Sequence, residues 1–212
     1  MNMNMIKKPR KLPRGGFSIG SLFAGCGGMD LGFVLEGFRI NWANDNDHWA
    51  CETYKKNFGD HIIESDIAKI DLKELSRCDV MLGGFPCQDF SMIWQWKGLG
   101  TKRGNLYRHF VRAVSLKRPK IFVAENVKGL LTANKGEAIK QIVADFGEVG
   151  YKVQVHPVNF ANYGAAQLRE RVQAAVPVAA GFVGVDHAGV EELAGLVDDG
   201  DLYAGAQAGV EA

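Results

Sequence analysis

The sequence predicts an α/β fold with a doubly wound, mostly parallel sheet. Short apolar runs alternate with segments of helical periodicity from residue 17 to residue 160. A glycine-rich turn joins the first apolar run to the first helical segment, and polar side chains follow several of the apolar runs. Strands separated by helix-length segments are typical of a parallel sheet covered on both faces, where ligands bind at the carboxyl ends of the strands.

The predicted elements are short and evenly spaced. The strands are FSIGSLF (17–23), RINWAN (39–44), DHIIESD (60–66), DVMLGG (79–84), KIFVAEN (120–126) and YKVQVHPVNF (151–160). The helices are MDLGFVLEGF (29–38), DHWACETYKKNF (47–58), NLYRHFVRAVSL (105–116) and EAIKQIVADFGEV (137–149). In the first helix, apolar residues recur at helical spacing, as at Leu31, Val34, Leu35 and Phe38.

The charged residues are unevenly distributed. All 25 Lys and Arg precede Val172, whereas seven of the 24 Asp and Glu follow it. The positive body favours a polyanionic partner such as nucleic acid, which would bind through neutralised phosphates. We therefore divide the chain into a basic N-terminal arm (1–16), a folded domain (17–172) and an acidic tail rich in Ala, Gly and Val (173–212).

Neither a membrane segment nor a metal site is expected. The basic N-terminus lacks the apolar core of a signal peptide, and no apolar run approaches the roughly 18 residues that cross a bilayer. The cysteines form no CxxC pair; they are Cys26, Cys51, Cys78 and Cys87. This pattern indicates free thiols in a reducing, cytoplasmic setting.

The stretch LFAGCGGMD places three glycines between the first strand and the first helix. Glycines in such a turn let backbone amides approach a ligand closely, although a tight turn alone also explains them. Asp45 follows the second strand, where an acidic side chain can hold the two hydroxyls of a ribose. The spacing favours a nucleoside cofactor. Asp66, after the third strand, is placed to bind an adenine amino group, to cap the next helix, or to do both.

The stretch GGFPCQDFS (83–91) follows the fourth predicted strand. Gly83 and Gly84 end the strand, and Pro86 restricts the backbone and removes one hydrogen-bond donor, which makes the turn stiff. A cysteine on such a turn, as at Cys87, is well placed to react. The alternative is a half-buried cysteine that acts only as a small apolar side chain.

Four motifs occur in the order FAGCGG, GFPCQDFS, AENVKGL and NYGAAQLRER. Together they resemble the DNA cytosine carbon-5 methyltransferases over roughly residues 17–172. The resemblance implies the Rossmann-like sheet of S-adenosylmethionine-dependent methyltransferases. It also implies S-adenosyl-L-methionine as the cofactor, double-stranded DNA as the partner and a DNA-associated protein in the cytoplasm.

The resemblance also implies a set of cofactor-binding residues: Phe23, Ala24, Gly25, Gly27, Gly28, Asp45, Asn46, Asp66, Ile67, Pro86 and Leu106. Asp45 would bind the ribose, and Pro86 and Leu106 would close the methionine side. Two positions depart from the family pattern. Ser21 stands where the family usually has an acidic residue, so we expect a weaker contact near the amino acid end of the cofactor. The segment GLGTKRGNLY also lacks an expected acidic residue before Arg103.

By the same resemblance, the catalytic residues are Cys87, Glu125, Arg169 and Arg171. A thiolate that adds to carbon 6 of cytosine turns the ring into an enamine whose carbon 5 can take a methyl group. Glu125 would protonate or hydrogen-bond ring nitrogen 3, and the two arginines would support these groups, clamp the base or hold a phosphate. Taken alone, Glu125 is also explained as a strand-end carboxylate and the arginines as a surface pair. The target base must leave the duplex to be reached.

Three alternative functions keep part of this pattern. A dinucleotide-dependent oxidoreductase explains the glycines and Asp45 but gives no role to Pro86 and Cys87 or to Glu125 and Asn126. A non-catalytic remnant that still binds the cofactor keeps the same motifs. An RNA cytosine methyltransferase of the same family keeps them too.

The residues after Arg171 predict that this chain is not a self-sufficient enzyme. Gln173 and Pro177 interrupt the hydrophobic strand that the resemblance implies there, and proline is poorly tolerated in a central strand. The tail has no Lys or Arg for phosphates and is too short for a recognition domain with its own core. We expect either a second polypeptide that supplies target recognition, or a frameshift or truncation.

Overall fold

Apolar strands and amphipathic helices alternate along the chain, as the sequence predicts. The computed structural model describes residues 16–86 and 106–175. The strands in these ranges are β1 (Ser18–Leu22), β2 (Arg39–Asp45), β3 (Ile62–Glu64), β4 (Val80–Gly83), β5 (Ile121–Val127), β6 (Gln154–Asn159) and β7 (Glu170–Ala175). The helices are α1 (Gly28–Leu35), α2 (His48–Phe58), α3 (Leu106–Lys117) and α4 (Glu137–Glu148).

The described strands form one sheet in the order β3-β2-β1-β4-β5-β7-β6. The five strands from β3 to β5 in this order are parallel, whereas β7 runs antiparallel to both β5 and β6. The predicted α/β fold with a mostly parallel sheet is therefore confirmed. After β1, the chain adds β2 and then β3 on one side of β1. It then returns to add β4 and the later strands on the other side. The carboxyl ends of β1 and β4 therefore flank a topological switch point.

The expectation that Gln173 interrupts a strand is wrong. Strand β7 continues through Gln173 to Ala175, and Gln173 pairs with Glu125 of β5 and with His156 of β6. Its neighbours Val172 and Ala174 are buried, so the alternation of side chains continues through the glutamine. Pro177 and the rest of the tail lie outside the described residues.

Alternate side chains of the central strands bury against different helices. In β4 and β5, Met81 and Phe122 belong to a cluster with aromatic residues of α3 and α4. Val80 and Leu82 belong instead to a cluster in which Phe33 of α1 takes part. Successive side chains of a strand point to opposite faces, so this division shows helices on both faces of the sheet. No helix in the described ranges is long and apolar enough to span a bilayer.

Three aromatic rings fix the position of α3 and α4 on the sheet. Phe122 of β5 stacks on Phe146 of α4, with ring centroids 4.2 Å apart. Phe110 of α3 meets both rings edge-on, at 6.1 Å from Phe122 and 6.0 Å from Phe146. All three side chains are fully buried. The Phe110 ring leaves no room for a side chain at Gly83, because a Cβ built there would lie 2.4 Å from the ring.

Replacing Gly83 with alanine should lower the free energy of unfolding by about 1–3 kcal/mol, since overpacking a filled core costs about that much. Urea denaturation measures the change. Gly147→Ala in α4 is the matched control, because a Cβ there meets nothing within 4 Å and alanine favours a helix. We expect that control to be neutral or stabilising. Wild-type stability in Gly83→Ala would contradict this account of the packing.

Candidate active site

A cavity of about 240 Å³ opens beside the switch point of the sheet. It is lined by Phe23, Asn44, Asp45, Asn46, Ser65, Asp66, Ile67, Gly84, Pro86 and Leu106. Seven of the residues proposed for the cofactor lie in this wall: Phe23, Asp45, Asn46, Asp66, Ile67, Pro86 and Leu106. The other four are not among the lining residues: Ala24, Gly25 and Gly27 lie in the adjoining turn, and Gly28 is the first residue of α1.

The carboxylate of Asp45 is held by two backbone amides. The N–H of Gly25 donates to Oδ2 at 2.7 Å, and the N–H of Asp47 donates to Oδ1 at 2.9 Å. The first of these bonds ties the glycine turn to the end of β2. Each carboxylate oxygen can accept a further hydrogen bond, so a diol in the cavity would meet an acceptor whose orientation is already set.

The turn between β1 and α1 has a conformation that only a few residue types adopt easily. Gly27 has φ +87°, and a Cβ at that position would lie 2.3 Å from the ring of Phe58. Phe23 is not a glycine, yet it also has a positive φ of 56°. An aromatic residue in this region is strained, and such strain is concentrated at functional sites. The strain therefore supports a binding role for the Phe23 wall of the cavity.

Asp66 caps the short 3₁₀ helix Ile67–Lys69, since its Oδ1 accepts the N–H of Ala68 at 3.0 Å. The capping role considered from the sequence is thus present in a residue that also lines the cavity.

Sequence reasoning missed Asn44, which is 1% exposed and donates to the carbonyls of Ile63 and Ser65 at 2.8 Å each. Ser65 and Gly84 of the same wall were missed as well. A polar residue inside an apolar strand, directly before Asp45, is the signal that could have identified Asn44.

Glu125 and Arg171 form an ion pair near this cavity. Arg171 Nε lies 2.9 Å from Glu125 Oε1, and the two side chains are 19% and 24% exposed. The register of β7 against β5 explains the pair. Arg171 lies opposite Val127, and Glu125 is two residues before Val127 on β5, so its side chain is on the same face of the sheet. The other carboxylate oxygen, Oε2, lies 3.7 Å from the position of a Cβ on Gly84, which lines the cavity.

Arg169 does not share this arrangement with Arg171. It is exposed and precedes β7 by one residue, and its carbonyl accepts the N–H of Phe160 at 3.0 Å. Cys87, the proposed nucleophile, lies outside the described residues, which reach Pro86 on that side of the gap. The structure therefore brings Glu125 and Arg171 together beside a wall that contains the residue before Cys87.

The family model described as C-5 cytosine-specific DNA methylase matches residues 17–175. The chain belongs to this family. This confirms the resemblance drawn from the four motifs.

Among curated relatives of this methylase chain, the type II methyltransferase M.NgoFVII of Neisseria gonorrhoeae is 59% identical over 154 residues. That match covers 72% of this chain and 41% of the relative. The type II methyltransferase M.FnuDI of Fusobacterium nucleatum is 44% identical over 152 residues, covering 72% and 44%. The chain thus spans less than half the length of these relatives.

Solved structures agree with the fold. A prophage-encoded DNA modification methyltransferase from E. coli superimposes with a TM-score of 0.63 at 27% identity, covering 76% of this chain and 46% of that one. The Dnmt2 methyltransferase of S. pombe gives a TM-score of 0.63 at 21% identity, covering 80% and 54%. At that lower identity, the second match supports the fold alone.

Ser21, which departs from the family pattern, does not line the cavity of this methylase chain. Its hydroxyl donates to Oδ1 of Asp30 in α1 at 2.7 Å, and the Tyr54 hydroxyl donates to Oδ2 at 2.7 Å. Asp30 is fully buried, and burial raises the pKa of its carboxyl group. An acidic group is therefore present beside Ser21, but it comes from α1 and holds β1, α1 and α2 together.

A group of potential metal ligands lies on α2 and β3. The ligand atoms of His48, Glu52 and Glu64 lie within 4.8 Å of one another. The Lys55 ammonium contacts both carboxylates, at 3.0 Å from Glu52 and 3.4 Å from Glu64, and His48 bonds Glu64 at 2.9 Å. Each of the three potential ligands therefore already has a partner within the protein.

Restoring an acidic residue with Ser21→Asp should destabilise the fold by about 3 kcal/mol or more, because it sets a second buried carboxylate against Asp30. Lowering the pH should reduce this loss, since a protonated carboxyl group can donate to the other one. Urea denaturation at several pH values measures both effects. Ser21→Ala is the control and should lose about 1–3 kcal/mol, with no such recovery at low pH. Wild-type stability of Ser21→Asp near neutral pH would contradict the assigned network.

Proposed function

We propose that this chain binds S-adenosylmethionine in the cavity and is the catalytic part of an enzyme that methylates carbon 5 of cytosine in DNA. The observation that carries the proposal is the position of the Glu125–Arg171 ion pair beside Gly84 in the cavity wall. A ligand in the cavity and a base next to Glu125 would thus be neighbours. Membership of the cytosine-specific family supports this assignment.

The cavity suits the cofactor in the chemistry of its walls. Asp45 offers fixed acceptors for the ribose hydroxyls. Asn46, Asp66 and Ile67 would enclose the adenine, with Asp66 accepting from its amino group. Pro86 and Leu106 form the wall toward β4 and would lie against the methionine portion. When bound, the cofactor supplies an electrophilic methyl group on sulfur.

The protein residues would activate the base in two ways. Glu125 would hold a proton at ring nitrogen 3, which draws electrons from carbon 6, and Arg171 keeps its carboxylate in one orientation. The Cys87 thiolate would form a bond to carbon 6, and the electrons of the carbon 5–carbon 6 double bond would form a bond from carbon 5 to the methyl group. The bond between the methyl group and the sulfonium sulfur would break at the same time, and its electron pair would stay on sulfur as a neutral thioether. A base would then remove the proton from carbon 5, and cleavage of the sulfur–carbon 6 bond would restore the aromatic ring and the thiolate.

Target recognition would come from outside the matched region. That region corresponds to 41% of M.NgoFVII and 44% of M.FnuDI, so more than half of each relative has no counterpart in it. We propose that recognition of the DNA sequence comes from residues outside the matched region, on the same polypeptide or on a second one. A cofactor-binding remnant without transfer activity is the second candidate, and the same partial coverage favours it.

Asp45→Ala should weaken binding of S-adenosylmethionine by about tenfold or more, because losing hydrogen bonds to a charged acceptor costs about 1.5–3 kcal/mol. Isothermal titration calorimetry measures the affinity. Asp47→Ala is the matched control, since Asp47 caps α2 by accepting the N–H of Ala50 at 2.7 Å and does not line the cavity. It should lose stability but keep its affinity. Unchanged binding by folded Asp45→Ala would refute the ribose role.

DNA that contains 5-fluorocytosine should form a denaturation-resistant adduct with Cys87, because fluorine replaces the proton that must leave carbon 5. Gel electrophoresis after denaturation detects the adduct. Cys87→Ala should abolish it, whereas Cys26→Ala should retain it, Cys26 being an exposed free thiol in the glycine turn. An adduct that still forms with Cys87→Ala would contradict the assignment of Cys87 as the nucleophile.

The trapping reaction needs three arms: the chain alone, the chain with the product of its neighbouring gene, and the chain with an RNA substrate. We expect adducts only in the second arm. Adducts with RNA alone would favour an RNA cytosine methyltransferase. Efficient, site-specific methylation of DNA by the lone chain would show that no second polypeptide is required.

A further inference from the structure

The side chain of Asn126 bridges the two strand ends that carry the GFPCQDFS and AENVKGL motifs. Asn126 is 4% exposed, and its Nδ2 donates to the carbonyl oxygen of Phe85 at 2.8 Å. Its Oδ1 accepts the backbone N–H of Val127 at 2.9 Å. Because one end of the amide has an acceptor and the other a donor, its orientation is determined.

The bridge lies where the backbone ladder can no longer connect the strands. The pairing of β4 with β5 ends at Gly83 and Ala124. Pro86 has no N–H with which to extend the pairing. The Phe85 ring is buried at 6.0 Å from the Phe110 ring, so its side chain is anchored in the core. The Asn126 amide holds the carbonyl of Phe85, the residue immediately before Pro86.

The neighbours of Asn126 connect this bridge to both parts of the site. Glu125 precedes it on β5 and forms the ion pair with Arg171. Pro86 follows the bonded Phe85 carbonyl and lines the cavity on the side toward β4. Asp45, on the side toward β2, is held separately by the amides of Gly25 and Asp47. The two ends of the cavity are therefore fixed by different contacts.

We propose that Asn126 is a positioning residue that aligns the Pro86 wall of the cavity with Glu125. The inference rests on the proposed function, since the Pro86 wall would contact the part of S-adenosylmethionine beyond its ribose. Breaking the bridge should then weaken contacts to the methionine portion and leave contacts to the nucleoside portion intact. A residue that only stabilised the fold would affect both portions equally.

The test compares two ligands on Asn126→Leu, which keeps roughly the size of asparagine but removes the donor to Phe85 without adding a charge. Calorimetry with S-adenosylmethionine should show binding weakened about fivefold to tenfold, the effect of losing one neutral hydrogen bond. The second ligand, 5′-methylthioadenosine, has the nucleoside portion without the amino acid, and its affinity should stay within about twofold of the wild-type value. Equal effects on the two ligands, or none on either, would overturn the proposal.

Asn41→Leu is the matched control. Asn41 Nδ2 also donates to a backbone carbonyl, that of Arg77, at 2.9 Å, but it does not line the cavity. This variant should bind both ligands as the wild type does. If Asn126→Leu does not fold, Asn126→Ala gives the same comparison, because water can then reach the Phe85 carbonyl; failure of both variants to fold would overturn a positioning role. A wild-type chain that binds neither ligand would refute the proposed function itself.

Discussion

The parallel pairing of β4 with β5 is the constraint on which the candidate site depends. Its register places Gly83 opposite Ala124, so the turn that begins at Gly84 and the polar end of β5 leave the sheet side by side. Glu125 can then face Gly84, and Asn126 can reach the carbonyl of Phe85. A shift of one residue would turn both side chains to the opposite face of the sheet.

The two ends of the cavity are stabilised in different ways. At the β2 end, backbone amides of short turns hold the Asp45 carboxylate, so the acceptor is rigid before a ligand arrives. At the β4 end, Pro86 has no N–H to donate, and the side chain of Asn126 holds the carbonyl of Phe85. Phe85 anchors the turn in the aromatic cluster of α3. Preorganisation of this kind reduces the conformational entropy that the protein loses when a ligand binds.

The Ser21–Asp30–Tyr54 network places a buried carboxylate next to Ser21, the position where the resemblance led us to expect an acidic residue. Asp30 lies in the first turn of α1, where a negative charge is favoured by the helix dipole. Its two hydroxyl partners come from β1 and α2, so one buried carboxylate joins three elements behind the glycine turn. The motif departure at Ser21 therefore concerns the packing behind the site, because its hydroxyl points away from the cavity wall.

The sequence by itself determined the fold class, because the periodicity of apolar residues and the glycines that end strands are local properties of the chain. It also identified Asp45 and Asp66 as cavity residues, since each lies where a strand ends and carboxyl ends of parallel strands share one edge of the sheet, whereas Pro86 was identified through the family resemblance. The tertiary structure alone decided that Arg171, and not Arg169, pairs with Glu125. That choice depends on the antiparallel register of β7 against β5. The sequence did not predict this strand, because the polar Gln173 interrupts its apolar residues. The partners of Ser21 and Asn126 were equally hidden, since long-range hydrogen bonds leave no periodic signal along the chain.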